Sequence, residues 1–134
     1  MTETLRIGRD LIEAMVREAR NAMPEECCGL LVGHPGTVTR LVPAANIHDA
    51  PERFFMLDPR RQFETLRALR DSGETLIGHY HSHPAGPARP SARDLAEATD
   101  SEAIWLVIDP LRGEVGAFRP RPGETFDAVM IKSA

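Results

Sequence analysis

The sequence predicts one α/β (α+β) domain over residues 1–134, a mixed, mainly antiparallel β-sheet flanked by helices. Three observations carry that expectation. Stretches with helical apolar spacing are interleaved with short apolar runs bounded by breakers, as at 28–33 and 75–83. The chain closes on a hairpin-like pattern instead of continuing a strand–helix alternation, which argues against a doubly wound parallel sheet. Finally, 134 residues with 42% hydrophobic and 27% charged side chains suit a single domain with a real core, and exclude a disordered or fibrous chain.

The elements follow in order. Arg9 to Met23 carries Leu11, Ile12, Met15, Val16 and Ala19 as a helical stripe. Pro24 closes it, because the residue before a proline is pushed out of the helical region. Cys28 to Gly33 reads as a buried strand, and Thr37 to Val42 pairs with it across His34-Pro35-Gly36. Arg53 to Leu57 is expected to be a strand. Asp58-Pro59 opens a second helix, with an N-cap residue before a proline at the first helical position. Its stripe is Phe63, Leu66 and Leu69, and Gly73 ends it. Thr75 to His83 is a third apolar run, stopped by Pro84. Residues 84–90 contain three prolines and one glycine and form a stiff loop. A short helix is expected over Ser91 to Thr99 and a strongly apolar strand over Ala103 to Ile108. Glu114–Arg119 and Thr125–Ile131 complete the chain as antiparallel strands, turned at Leu111-Arg112-Gly113 and Pro122-Gly123.

Composition narrows the function classes. A formal charge of −4 gives no electrostatic reason to expect nucleic-acid binding. The two cysteines, Cys27 and Cys28, are adjacent, so neither an ordinary disulfide nor a C-x-x-C thiolate site is available. A reducing, cytoplasmic location is the expectation. The N-terminal segment has acidic residues and lacks the apolar core of a signal peptide. No apolar run approaches the ~20 residues that span a bilayer, so no membrane role is expected.

The chemistry lies in His79-Tyr80-His81-Ser82-His83-Pro84 and in Ser91-Ala92-Arg93-Asp94. Residues two apart on a strand project from one face, about 6.5 Å apart, so His81 and His83 can lean onto one metal ion. The stiff loop and the helix start behind it can deliver Asp94 as a third ligand. Two histidines and a carboxylate leave the fourth tetrahedral position to water, which is the pattern of a catalytic zinc. Such a water needs a base, and Glu25 and Glu26, just before the buried strand at Cys28, are the candidates.

His81-Ser82-His83-Pro84, six further residues and then Ser91-x-x-Asp94 resemble the signature of the JAMM (MPN+) zinc metalloproteases. Pro24-Glu25-Glu26-Cys27-Cys28-Gly29 is similar to that family's Pro-x-Glu-x-Cys-Gly stretch. The resemblance implies the MPN/JAMM (cytidine-deaminase-like) fold, with Zn2+ on His81, His83 and Asp94. It selects Glu26 as the catalytic glutamate and gives Ser91 the role of an oxyanion donor. It further implies hydrolysis of an amide or isopeptide bond after the Gly-Gly tail of a ubiquitin-like or sulfur-carrier protein, and it admits a homodimer. The long insertion by which eukaryotic deubiquitinating members grip a second ubiquitin has no counterpart here. The rival readings are a non-catalytic MPN scaffold and a zinc hydrolase of cell-wall peptides.

Blander roles compete for several of these residues. Ser91 and Asp94 have the spacing of a helix cap, worth about 1 kcal/mol, and one serine can serve both ends. His79 reads as a packed or supporting residue rather than a ligand. His34 and His48 read as surface residues, and Tyr80 and Trp105 as core or pocket walls. Cys28 reads as a small buried hydrophobe rather than a nucleophile. Arg60, Arg61, Arg67 and Arg70 read as a solvated helix face.

Overall fold

The computed structural model describes residues 2–134. Its elements are β1 (Thr4–Ile7), α1 (Arg9–Ala22), β2 (Cys28–His34), β3 (Thr37–Ala44), α2 (Pro59–Leu69), β4 (Thr75–Ser82), α3 (Ala92–Glu97), β5 (Ile104–Asp109), β6 (Glu114–Arg121) and β7 (Thr125–Lys132). The strands run in the order β1-β3-β2-β4-β5-β6-β7, and β1 joins β7 as well as β3, so the sheet closes into a barrel. Pairing is antiparallel for β2 with β3 and β4, and for β6 with β5 and β7. It is parallel for β4 with β5 and for β1 with both its neighbours. The mixed, mainly antiparallel sheet is therefore as the sequence predicts.

The strand that closes the barrel was not anticipated. Thr4–Ile7 is only four residues long, too short for its period of two to stand out. Its Leu5 and Ile7 nevertheless enter the main core, with Met15, Val16 and Ala19 of α1 and with Leu31, Tyr80, Leu106 and Ile108. The apolar stripe of α1 thus lies across one side of the barrel. A smaller cluster of Leu30, Val32, Val42 and Leu69 lies beneath α2. The strands β2 and β5, at the middle of the order, are buried almost throughout, which is why they read as unbroken apolar runs.

Two further expectations are corrected. Arg53 to Leu57 is not a strand: the segment is irregular and keeps one isolated bridge, Asn46 to Leu57. Alternating bulk in Phe54, Phe55 and Met56 imitates a strand, but the backbone is held by a side chain described below. In α2 only Thr65 and Leu69 are buried, while Phe63 and Leu66 stay 64% and 47% exposed. That helix rests on the barrel by one edge, so its apparent stripe is mostly solvent-facing. It also ends at Leu69, ahead of Gly73, because Arg70 already leaves the helical region at ψ 125° and Asp71 then takes a left-handed φ of 63°. Its start is as expected, with the Asp58 carboxylate accepting from the Arg60 N–H. Among the described residues no helix is long and apolar enough to cross a membrane.

The site-bearing strand β4 depends on a close approach to β5. A Cβ on Gly78 would fall on the Ile104 carbonyl oxygen and crowd its amide nitrogen. Gly78→Ala is therefore expected to lower stability by about 1–3 kcal/mol or more, since neither backbone can yield without shifting the ladder. Urea unfolding of the purified variant, read as a fall in midpoint at constant slope, checks this.

A candidate metal centre at the end of β4

Alternation along β4 puts Tyr80 into the main core and His79 and His81 on the opposite face. β2 lies antiparallel beside it, with Cys28 opposite His81, so Glu26 arrives just past the strand end, level with His83. Ser82 secures that alignment: its Oγ accepts from the Cys27 N–H at 2.8 Å, and its own N–H donates to the Cys27 carbonyl at 3.0 Å. Base and histidines are thus tied together by the residue between the two histidines.

Three electron-rich atoms converge here. His81 Nε2 lies 3.2 Å from His83 Nε2 and 3.3 Å from Asp94 Oδ2, and His83 Nε2 lies 3.1 Å from the same oxygen. The His83 Nδ1 sits 3.0 Å from the Pro87 carbonyl, which can only accept, so Nδ1 carries the proton and Nε2 turns its lone pair inward in the neutral ring. Neutral nitrogens and a carboxylate oxygen at such spacing repel unless a cation or proton lies between them. A tetrahedral zinc with bonds of about 2.0–2.1 Å sets its ligand atoms about 3.3 Å apart. The donor set and the spacing both fit that ion. His81, His83 and Asp94 are the group able to hold a metal among the described residues.

Each ligand has a local support. Ser91 caps α3: its Oγ accepts from the Asp94 N–H at 3.1 Å while its own N–H donates to Asp94 Oδ2 at 2.9 Å. The helix cap and the aiming of the carboxylate are one structure. Phe55 stacks on the His81 ring, 4.2 Å between centroids and 17° from parallel. Trp105 meets His79 edge-on at 4.4 Å. The His81 Nδ1 is buried without a hydrogen-bond partner, so packing alone orients that ring.

Electrostatics follow burial. The Glu26 carboxyl, 7% exposed, is pushed up to about 7 by burial; the nearby Asp94 adds to the rise, and Arg93 and the protonated form of His83 oppose it. Burial likewise drives His81 down and so keeps it neutral, the form that binds metals. For Asp94, burial pushes upward, but the facing imidazoles of His81 and His83 and the Ser91 N–H hold the carboxyl well below its usual range. Burial takes His79 down to about 3, and its Nδ1 too lacks a partner. The thiols of Cys27 and Cys28 are pushed up to about 12 by burial, which removes the thiolate chemistry a nucleophile would need.

Of the residues singled out in the sequence, Glu26, His83, Ser91 and Asp94 line one cavity of about 490 Å³, and His81 is fully buried against His83 and Asp94. Glu25 faces solvent, as do Arg60, Arg61 and Arg67 of α2, Arg70 at its end, and His34. Sequence reasoning missed Asn46, Phe55 and Ser82. Asn46 is the hub of the 46–57 loop: its Nδ2 donates to the carbonyls of Glu26 and Phe54, and its Oδ1 accepts from the N–H groups of His48 and Met56. No residue pattern announces a lone loop asparagine. Ser82 was findable, since a small polar residue inside a buried strand needs a partner.

Comparison with known proteins converges on one family. The model of the prokaryotic homologs of the JAB domain matches residues 8–121. The CysO-cysteine peptidase of Mycobacterium tuberculosis is 38% identical over 118 residues, 84% of this chain and 80% of that protein. A probable TtuB-protein conjugate cleaving protease of Thermus thermophilus is 38% identical over 94 residues, 70% of this chain and 63% of that protein. Among solved structures, DSY2949 from Desulfitobacterium hafniense superposes with a TM-score of 0.85 at 33% identity, covering 98% of this chain and 93% of its own.

Replacing Ser82 by alanine strands the buried Cys27 N–H. The expected cost is about 1–3 kcal/mol of stability, because a buried donor left unpaired carries its full desolvation penalty. Chemical denaturation of Ser82→Ala against Ser82→Thr, which retains the hydroxyl, separates that loss from a change of packing.

Proposed function

The chain belongs to the family of prokaryotic homologs of the JAB domain, and from that premise we propose that it is a zinc metallopeptidase acting on a small ubiquitin-like or sulfur-carrier protein. The bond hydrolysed is the amide or isopeptide bond after the carrier's Gly-Gly C-terminus, and the enzyme works in the cytoplasm. One observation supports the chemistry above all others: two imidazole nitrogens and a carboxylate oxygen converge at 3.1–3.3 Å beside a buried glutamate. The substrate class is supported by the names of the relatives, a peptidase named for a CysO–cysteine substrate and a protease of TtuB–protein conjugates.

In this reading His81, His83 and Asp94 hold the zinc. When bound, the ion supplies Lewis acidity, polarising the scissile carbonyl and acidifying a water towards neutral pH. The remaining work belongs to the chain. Glu26 accepts a proton from the attacking water and passes it to the departing amine as the C–N bond breaks and the new C–O bond forms. Burial suits it to both halves of that task, because a carboxyl near 7 is a stronger base than an exposed one and, once protonated, still holds a proton at neutral pH to hand on. The Ser91 Oγ accepts from the Asp94 N–H, which leaves its own proton free to donate to oxygen as charge builds on the carbonyl. A tail of two glycines suits the approach, since only an unbranched backbone passes close to a recessed centre.

Mass spectrometry of a carrier protein bearing a C-terminal extension, co-expressed with the enzyme, tests the assignment. The extension should be lost after Gly-Gly, and a chelator should preserve it; an intact tail in both cases refutes the reading. Glu26→Gln is expected to keep about one zinc per chain while kcat falls ~10²–10⁴-fold, the range for a lost general base. Asp94→Ala should instead lose the metal, as measured by elemental analysis. The pH profile has a defined sign. Glu26 must be ionised to take the proton, so kcat/KM should fall as pH drops through its pKa. That pKa lies at about 7 or below, since a bound cation stabilises the carboxylate. A rate that rises towards acid pH contradicts Glu26 as base.

A further inference from the structure

Two cavities flank the centre, and the proton's path shows which of them receives the leaving group. Glu26 gives its proton to the departing amine, so the departing residue lies on the side that Glu26 lines. That side is the cavity of about 490 Å³ that also contains His83, Ser91 and Asp94. The neighbouring cavity of about 440 Å³ contains neither Glu26 nor a ligand residue; Leu30, Leu57, Leu76 and Trp105 give it an apolar wall, while Arg93 and Glu97 stand between the two cavities and line both. It is therefore left for the carrier's tail.

The leaving-group side carries three arginines, Arg53, Arg89 and Arg93. Apart from Glu26 and Asp94, which have other work, it carries two carboxylates, Glu52 and Glu97. A positive excess of one remains. Among the described residues neither Arg53 nor Arg89 forms an ion pair. Arg93 immediately precedes Asp94 on α3, so its stem leaves from the turn that presents the ligand. Its guanidinium carbon lies over the Phe54 ring, 3.9 Å from the centroid, a cation–π contact that holds the group at this place. Its contact with Glu97 is loose: 3.8 Å, with side chains 49% and 63% exposed. An exposed pair of that kind holds the fork weakly and leaves its donors available. Arg93 lines the same cavity as Glu26, so its cation acts within the catalytic cavity.

On the strength of the function proposed above, we propose that this cavity reads the free α-carboxylate of a single amino acid released from the carrier tail, with Arg93 as the specificity-determining contact. One carbon separates that carboxylate from the departing nitrogen, so a cation at the edge of the catalytic cavity is suitably placed. Hydrolysis adds water across the C–N bond: the carrier regains its glycine carboxylate, and the amino acid departs with its amine protonated and its carboxylate on Arg93. A substrate linked through a lysine side chain within a protein offers no α-carboxylate there and forgoes the contact.

The test uses the zinc-loaded protein and a carrier ligated to three tails: Gly-Gly-Ala with a free carboxylate, Gly-Gly-Ala amide and Gly-Gly-Asp amide. A bidentate charge-assisted pair is expected to favour the free acid over the Ala amide by about tenfold in kcat/KM, expressed mainly in KM. Arg93→Gln should bring the acid-to-amide ratio close to one, and Arg93→Lys should restore part of it. Equal turnover of acid and amide by the native protein overturns the proposal, as does an Arg93→Gln variant that loses both tails in proportion. Turnover of the Asp amide equal to that of the free acid overturns it too, since a side-chain carboxylate is then what is read. If the native protein cleaves none of the three, the peptidase reading itself fails and this inference falls with it; each of the other outcomes leaves that reading standing.

Discussion

Three electron-rich atoms held 3.1–3.3 Å apart are an arrangement that no folded chain adopts for its own stability. Left to itself each would turn to water or to a donor. That they converge means the rest of the structure holds them there, and much of the barrel can be understood as the means. β4 is fixed between β2 and β5, with Gly78 removed of any side chain so that the parallel neighbour can come close. The Pro87 carbonyl takes the His83 Nδ1 proton, and the cap of α3 aims Asp94. Phe55 and Trp105 hold the rings that no hydrogen bond holds. A cation at that point converts the repulsion into attraction.

The same burial that makes the site costly also makes it reactive. Glu26 is withdrawn from water on a short connection between α1 and β2, anchored by its N–H to the Pro51 carbonyl and by its carbonyl to Asn46. Desolvation lifts its carboxyl to about 7, whereas Asp94, equally secluded, is held low by the facing imidazoles and the Ser91 N–H. Two buried carboxylates of one cavity thus take different protonation behaviour from their environments, one suited to exchanging protons and the other to staying ionised. The sequence cannot reveal that division, because it depends on which hydrogen bonds form.

What the sequence does reveal follows from the period of its elements. Where a residue's role is set by alternation or by a cap, as for His81 and His83 two apart on a buried strand or Ser91 and Asp94 three apart at a helix start, spacing alone locates it. The runs of β2 and β5 were legible because both faces are buried, and β6 and β7 because turns bracket them. Legibility failed where tertiary contact outweighs pattern. β1 is a strand because β3 and β7 receive it, not because four residues insist on it. Residues 53–57 look like a strand yet follow the hydrogen bonds of Asn46. Phe63 and Leu66 look like a helix stripe yet face water, since α2 touches the barrel along one edge only.

Pairing within the sheet has a consequence for how substrate is held. The strand that carries the histidines, β4, is paired on both sides, so an extended tail cannot add to it and recognition at the centre falls to the irregular segments around it. Those segments are the 46–57 loop, the proline loop at 84–90 and the start of α3, and they meet at Phe54 and Phe55. Phe55 touches both cavities and stacks on His81, while Phe54 lies under the guanidinium of Arg93. Phe55 therefore stands where the apolar wall of one cavity meets the catalytic cavity, and Arg93 reaches both. A peptide bond with an unbranched chain on one side and a charged terminus on the other meets that boundary in only one direction. The asymmetry that selects the bond is built from the loop that sequence patterning mistook for a strand.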